Sequence, residues 1–428
     1  MPRPTAPEPA STIFVSIAAY RDPELLPTLQ NCLETAANPQ DLRFCIAWQH
    51  SPEDSWDVLD DYRSDPRFQI IDIPCQESKG VCWARHEIQK RYGNEAYYLQ
   101  LDSHHRFSPN WDDTIKDYLH YLQATGHRKP LLSAYLPPYH PENDPQGREI
   151  DVYGQKSERF LPQGVIFLNS HHVQGWKEMQ APFRSRFLSA HFIFTTGKFV
   201  QEAPYDPDLY FHGEETSLAA RAYTHGYDLF CPHRPVIWHE YVRKGKTKHW
   251  DDCADWGLKN DRSYARYREL FGMESPARSD QEKAPDHRFG LGTARSLAEY
   301  ERYAGIRFKT RQIHKETIDG DLPPVKSDFH TGLTNTVKVC IDVLKDALPE
   351  SDYDFFAVAV LNEAGEDHYR EDCAETEIRS LFRADADDRF IHIWRTYNHT
   401  ERPHATRVWP HSKSKGWMDK IDQVIPYE

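Results

Sequence analysis

No apolar stretch in this 428-residue chain approaches the roughly 20 consecutive residues that an α-helix needs to cross a bilayer. The start, Met1 to Ala10, is proline-rich and polar and lacks the charged-then-apolar pattern of a secretory leader. Paired cysteines are missing as well: the eight cysteines, Cys32, Cys45, Cys75, Cys82, Cys231, Cys253, Cys340 and Cys373, stand singly, with no C-x-x-C. A zinc ribbon and a thiol redox motif are therefore not expected. Cys45, between Phe44 and Ile46, reads as a small buried hydrophobe. These absences point to a reduced, cytoplasmic location without a transmembrane segment. Positive charge is in deficit too, since 52 Lys and Arg against 66 Asp and Glu give a formal net charge of -14. The mean field of such a surface repels DNA and RNA, so no nucleic-acid partner is expected, although a local basic pocket for a diphosphate is compatible with it. There is also no H-E-x-x-H, no internal repeat and no low-complexity tract.

What the chain has is a globular composition, 39% hydrophobic and 28% charged, over a length that suits two domains. The run Thr12 to Ala19 reads as a buried strand, and a helix follows from about Pro23, with Leu25, Leu29, Cys32 and Leu33 at helical spacing. Further strands are expected at 42–48, 68–73 and 96–101, with a helix at about 81–92 after Lys79-Gly80. This alternation predicts an α/β fold with a mostly parallel, Rossmann-like sheet. Ligands bind beyond the carboxyl ends of such strands, which directs attention to Tyr20 to Asp22, Gln49, Glu77 to Gly80 and Asp102 to His105. Later strands are expected at 131–135, 164–168 and 189–195, and a helix from Glu214 to His225, stopped by Gly226. The expected organisation is a flexible start over 1–11, a catalytic domain over 12–255, a helical connector over 256–324 and a small β-rich accessory domain over 325–428. In the last, a helix at about 333–346 precedes strands at 355–361, 366–369, 390–397 and 405–409.

Three motifs carry chemistry. Leu99-Gln-Leu-Asp102-Ser-His104-His105 delivers an acid and a histidine from the end of an apolar strand, and residues i and i+2 face the same side. Carboxylate plus imidazole suits Mn²⁺ or another divalent cation. Alone, D-x-H is equally a polar loop. The second motif is Phe211-His-Gly-Glu214-Glu215-Thr-Ser-Leu-Ala-Ala-Arg221, which leads through a strand to Trp238-His239. An acidic pair at a helix start also satisfies the helix dipole, and His239 is a candidate third ligand. Lys79-Gly80-Val-Cys-Trp-Ala-Arg85 sets an arginine one turn into a helix, where it suits a phosphate.

These segments, together with Phe14-Val-Ser-Ile-Ala-Ala-Tyr-Arg-Asp22, resemble the cytosolic polypeptide N-acetylglucosaminyltransferases, whose best-known members modify hydroxyproline on a ubiquitin-ligase subunit in protists. The resemblance spans about residues 12–310 with the motifs in order. More distantly, the arrangement is similar to that of the mucin-type polypeptide N-acetylgalactosaminyltransferases. The resemblance implies a GT-A fold, a divalent metal, usually Mn²⁺, and a UDP-sugar donor. UDP-N-acetylglucosamine is the first expectation, with its sugar transferred to a protein or glycan hydroxyl with retention. It further implies Asp102, His104 and His239 as metal ligands, Arg21, Asp22, Lys79, Arg85 and Asp102 on the nucleotide side, and Glu214 and Glu215 as catalytic acids facing the acceptor. The tail beyond 325 shows no such likeness. Two other readings stand beside this one: a metal-dependent hydrolase drawing on His105, His171, His172 or His191, and a non-catalytic sugar-binding module. Trp394, Tyr397, Trp409 and Trp417 in the tail suit either a sugar platform or core packing.

Overall fold

The computed structural model describes residues 11–56, 58–243, 245–273, 287–384, 389–401 and 403–425. It divides into two compact units, Met1–Gly332 and Leu333–Glu428.

The first unit is built on strands β1 (Ile13–Tyr20), β2 (Leu42–His50), β3 (Phe68–Pro74), β4 (Tyr97–Leu101), β5 (His105–Phe107) and β6 (Pro130–Ser133). They are followed by β7 (Tyr153–Phe160), β8 (Ile166–His172), β9 (Phe183–Arg184), β10 (Phe192–Thr196), β11 (Asp228–Cys231) and β12 (Ile237–His239). An eight-stranded sheet runs in the order β3-β2-β1-β4-β10-β6-β11-β9. β1 is parallel to β2 and β4, β2 to β3, and β6 to β11, whereas β10 and β9 run antiparallel to their neighbours. This is the mostly parallel α/β class that the strand–helix alternation predicts, with a β-rich region after it.

Both faces of the sheet are covered, which is why β1 is apolar along nearly its whole length. Ile13, Val15, Ile17 and Ala19 pack to one side with the helices Leu25–Thr35 and Trp111–Ala124. Phe14 packs to the other side with Ala84 and Ile88 of the helix Val81–Gln89 and Leu218 of the helix Glu214–Thr224. The helix Trp111–Ala124 is absent from the sequence reading. It is anchored by Trp111, whose Nε1 donates to Cys32 O at 3.0 Å, and by Asp112, whose carboxylate accepts from the Ala37 and Asn38 amides. Residues expected to form a connector contribute core side chains: Tyr264, Tyr267, Tyr300 and Tyr303 lie in the same cluster as Leu218. No described helix is long and apolar enough to cross a membrane.

The second unit has a core of Val339, Ile341, Val343, Phe356, Val358, Val360, Ile391, Ile393 and Val408. The helix expected at 333–346 is instead a strand, Leu333–Leu344, paired antiparallel with Phe390–His399. Alternation explains the correction. Val339, Ile341 and Val343 point into the core while Lys338, Cys340 and Asp342 face away, and β-branched residues favour that pleat. Tyr397 is a core residue, whereas Trp394 and Trp417 are about half exposed.

Candidate functional site

The carboxyl ends of β1, β2, β4 and β6 open onto one cleft of about 700 Å³, lined among others by Tyr20, Gln49, Asp102, His104, Tyr135, Glu214, Glu215 and His239. A volume of this size holds a nucleotide-sized ligand. Gly80 forms part of the wall with φ +109°, and a Cβ there would stand 2.8 Å from the Tyr210 ring, so the turn before the helix Val81–Gln89 needs glycine.

Asp102 and His104, two residues apart at the end of β4, face the same way, with Asp102 Oδ2 3.8 Å from His104 Nε2. His239 reaches them across 135 residues of sequence through pairing of β12 with β5, which sets His239 opposite His105. Backbone bonds from His239 N to Pro137 O and from Glu240 N to His104 O, both 3.1 Å, hold the register. His239 Nε2 stands 3.5 Å from Asp102 Oδ2, too far for a hydrogen bond of ordinary length. The three ligand atoms lie within 4.8 Å of one another.

A divalent cation fits these residues on an independent ground. Both ring nitrogens of His239 are buried and have no hydrogen-bond partner among the described residues, an arrangement that normally costs about 1–3 kcal/mol. Burial and the neighbouring His191 hold the His239 pKa well below its usual value, so the ring is a neutral donor at pH 7. Burial opposes ionisation of Asp102, but His239, Arg85 and His104 outweigh it and keep the carboxyl well below the usual range. His105, the residue after the D-x-H motif, is a structural tie instead. Its Nδ1 lies 2.9 Å from Trp238 O, and its Nε2 accepts from Asp102 N at 3.2 Å.

Arg85 is buried between two acids. Its Nη2 donates to Asp102 Oδ1 at 2.5 Å and its Nη1 to Glu214 Oε1. Glu214 opens the helix Glu214–Thr224, after Gly213 with φ +94°, where a Cβ would meet the Tyr267 ring at 2.7 Å. Glu215 points to the other wall, with Oε1 accepting from Ala190 N at 2.8 Å and Ser189 Oγ at 3.1 Å. Burial, aided by the charge of Glu214, pushes the Glu215 carboxyl up to about 7.

The residues expected on the nucleotide side separate. Asp102 and Arg85 line the cleft. Arg21 is turned onto Asp54, with bonds of 2.6 and 3.0 Å, and onto Asp252, with bonds of 3.0 and 3.2 Å. Asp22 is buried with its carboxylate on His104 and Ser103. Lys79 is exposed, its Nζ 5.6 Å from the Trp83 ring centroid, and is not part of the lining.

Several further residues line the cleft. Arg243 stands 3.3 Å from Asp22 Oδ2, yet its Nε and Nη2 have no hydrogen-bond partner among the described residues. His191 lies over His239, ring centroids 4.2 Å apart, and burial lowers its pKa to about 4. Phe211 and Trp250 form an exposed aromatic rim, their centroids 5.6 Å apart. The basic run Arg243, Lys246 and Lys248 was the one available signal for this wall, four to nine residues beyond His239.

Comparison with known proteins follows the same lines. The model of the glycosyltransferase (GlcNAc) family matches residues 12–68 and 57–310. No curated protein sequence matches. Among solved structures, GalNAc-T7 with UDP, GalNAc and Mn²⁺ is 12% identical, with TM-score 0.42, over 61% of this chain and 49% of that one. S. aureus TarS 1-349 with UDP-GlcNAc is 15% identical, with TM-score 0.35, over 56% of this chain and 61% of that one. The mannosyltransferase PcManGT from Pyrobaculum calidifontis, with GDP-Man and Mn²⁺, is 12% identical, with TM-score 0.39, over 65% and 69%. This chain thus spans about half of the first of these and under two thirds of the second. The family match covers well over half of the chain, so this chain belongs to the glycosyltransferase (GlcNAc) family.

Proposed function

We propose that the cleft transfers N-acetylglucosamine from UDP-N-acetylglucosamine to a hydroxyl of a protein or glycan, with retention of configuration, in a GT-A type catalytic domain. The observation that carries this reading is the cluster of the partly buried Asp102 with the buried His104 and His239, both His239 nitrogens unpartnered among the described residues, in the wall of a nucleotide-sized cleft. The family description supports the choice of sugar. None of the eight cysteines is in a disulfide, in keeping with a reduced, cytoplasmic setting.

Asp102, His104 and His239 would hold Mn²⁺ or another divalent cation, which supplies positive charge against the departing diphosphate. Arg85 keeps Asp102 ionised and orients it. Arg243 lines the cleft with Nε unpartnered among the described residues and Nη2 only loosely paired to Asp22, and we assign it the diphosphate oxygens, a task for which Arg21 and Lys79 are poorly placed. Glu214, fixed by Arg85, lies where a carboxylate steadies an oxocarbenium-like anomeric carbon. Glu215 orients the acceptor hydroxyl, whose proton passes to the leaving phosphate oxygen. Phe211 and Trp250 offer flat faces for a sugar or peptide ring at the cleft mouth.

One observation favours a second outcome. A carboxyl at about 7 suits a general base, and Glu215 would serve as one if transfer inverts. The test is donor turnover: purified protein, Mn²⁺ and a panel of nucleotide sugars, with free nucleotide as the readout. Release of UDP from UDP-N-acetylglucosamine, lost on chelation and in Asp102→Ala, is expected. Absence of both turnover and UDP binding would overturn the reading.

A further inference from the structure

The segment Tyr20-Arg21-Asp22 resembles a nucleotide-binding strand end, but its side chains turn away from the cleft lining after Tyr20. Asp22 is fully buried at the side chain. Its Oδ1 accepts from Glu24 N at 3.1 Å. Its Oδ2 lies 2.6 Å from both Ser103 Oγ and His104 Nδ1. His104 Nε2 is thereby left facing Asp102.

We propose that Asp22 is a positioning residue for the metal centre, which fixes the ring and tautomer of His104, and that it is not a nucleotide ligand. This rests on the reading of Asp102, His104 and His239 as metal ligands. A carboxylate on one imidazole nitrogen keeps the proton there and leaves the other nitrogen's lone pair for the ion. The strand end is built for this purpose. Arg21 has φ +43°, a left-handed backbone that costs about 1–2 kcal/mol in a non-glycine residue. It is held there by Asp54, by Asp252 and by its own amide bond to Gln49 O at 2.9 Å. The turn carries Asp22 beneath Ser103 and His104. Thr28, on the following helix, ties down the same loop: its hydroxyl donates to Ser103 O at 3.0 Å and accepts from His105 N at 2.9 Å. Asp22 thus reaches the cleft through His104 and, more loosely, through Arg243, whose Nη2 lies 3.3 Å from the same Oδ2.

The experiment separates metal from nucleotide. Mn²⁺ affinity is measured without nucleotide, from the free-ion electron paramagnetic resonance signal, for the wild type and Asp22→Asn; UDP affinity is then measured in chelator. A loss of about 10–100-fold in Mn²⁺ affinity is expected, with a change of less than about threefold in metal-free UDP affinity, which Asp22 touches only through its 3.3 Å pairing with Arg243. Unchanged Mn²⁺ affinity with weakened UDP binding would return Asp22 to the nucleotide side. A wild type that binds no divalent ion would overturn the metal centre itself, a result distinct from binding that Asp22→Asn leaves intact. Should Asp22→Asn not fold, histidine ring nitrogen resonances of the metal-free wild type decide the matter, with His104→Gln for assignment. A proton on Nδ1 of His104 is expected, and a proton on Nε2 would overturn the proposal.

Discussion

Arg85 donates through Nη2 to Oδ1 of Asp102, and this contact turns the other oxygen, Oδ2, toward His104 and His239. The same guanidinium holds Glu214. One arginine therefore orients two acids from different elements of the fold. Arg85→Ala leaves the buried Glu214 and the partly buried Asp102 without their cation. The expected loss is about 3–5 kcal/mol of stability, measured by denaturant unfolding. Arg85→Lys keeps the charge but not the two-pronged geometry, and should fold better than Arg85→Ala while turning over donor at least about tenfold more slowly than wild type.

Glu215 gives the protein a pH signature. Burial, then the charge of Glu214, raises its carboxyl from 4.5 to about 7. Below the unfolded value both states are protonated and burial costs nothing. As pH rises through the window from 4.5 to about 7 the unfolded state ionises first, so the folded state loses stability, and above the folded value the loss is constant. Glu215→Gln cannot ionise, so its stability advantage over wild type should open across that window to about 3 kcal/mol. Melting curves at a series of pH values measure the gap, and a flat difference would contradict it. Under retention, Glu215→Gln keeps substantial turnover, whereas loss to background would make Glu215 the base of an inverting reaction.

The cations of the cleft should rank by geometry. Arg243→Ala is expected to weaken UDP binding by about 10–100-fold, the worth of a charge-assisted hydrogen bond. Lys79→Ala should change it less than about threefold, since that side chain is exposed outside the lining. Calorimetric titration of the two variants checks the order, and equal losses would contradict it.

The parallel sheet was legible because β1, β2 and β4 are nearly continuous apolar runs separated by turn residues. The clustering of Asp102, His104 and His239 was legible in part, since Asp102 and His104 share a strand end and His239 follows the acidic helix and its strand. The tasks of Arg21, Asp22 and Lys79 were not legible. A Tyr-Arg-Asp end looks the same whether its side chains face the cleft or the turn, and the left-handed φ of Arg21 decides that. Arg243 escaped because it lies on a loop without periodicity. The strand Leu333–Leu344 was misread as a helix although Val337, Val339, Ile341 and Val343 alternate along it.

The most direct test of the central claim is the coupling between metal and nucleotide. UDP is titrated into the protein with and without Mn²⁺, for wild type and for His239→Ala. The account predicts that Mn²⁺ tightens UDP binding to the wild type by tenfold or more, as a coupling of about 1.4 kcal/mol requires, and that His239→Ala abolishes the coupling. Equal UDP affinity with and without Mn²⁺ in the wild type would contradict it.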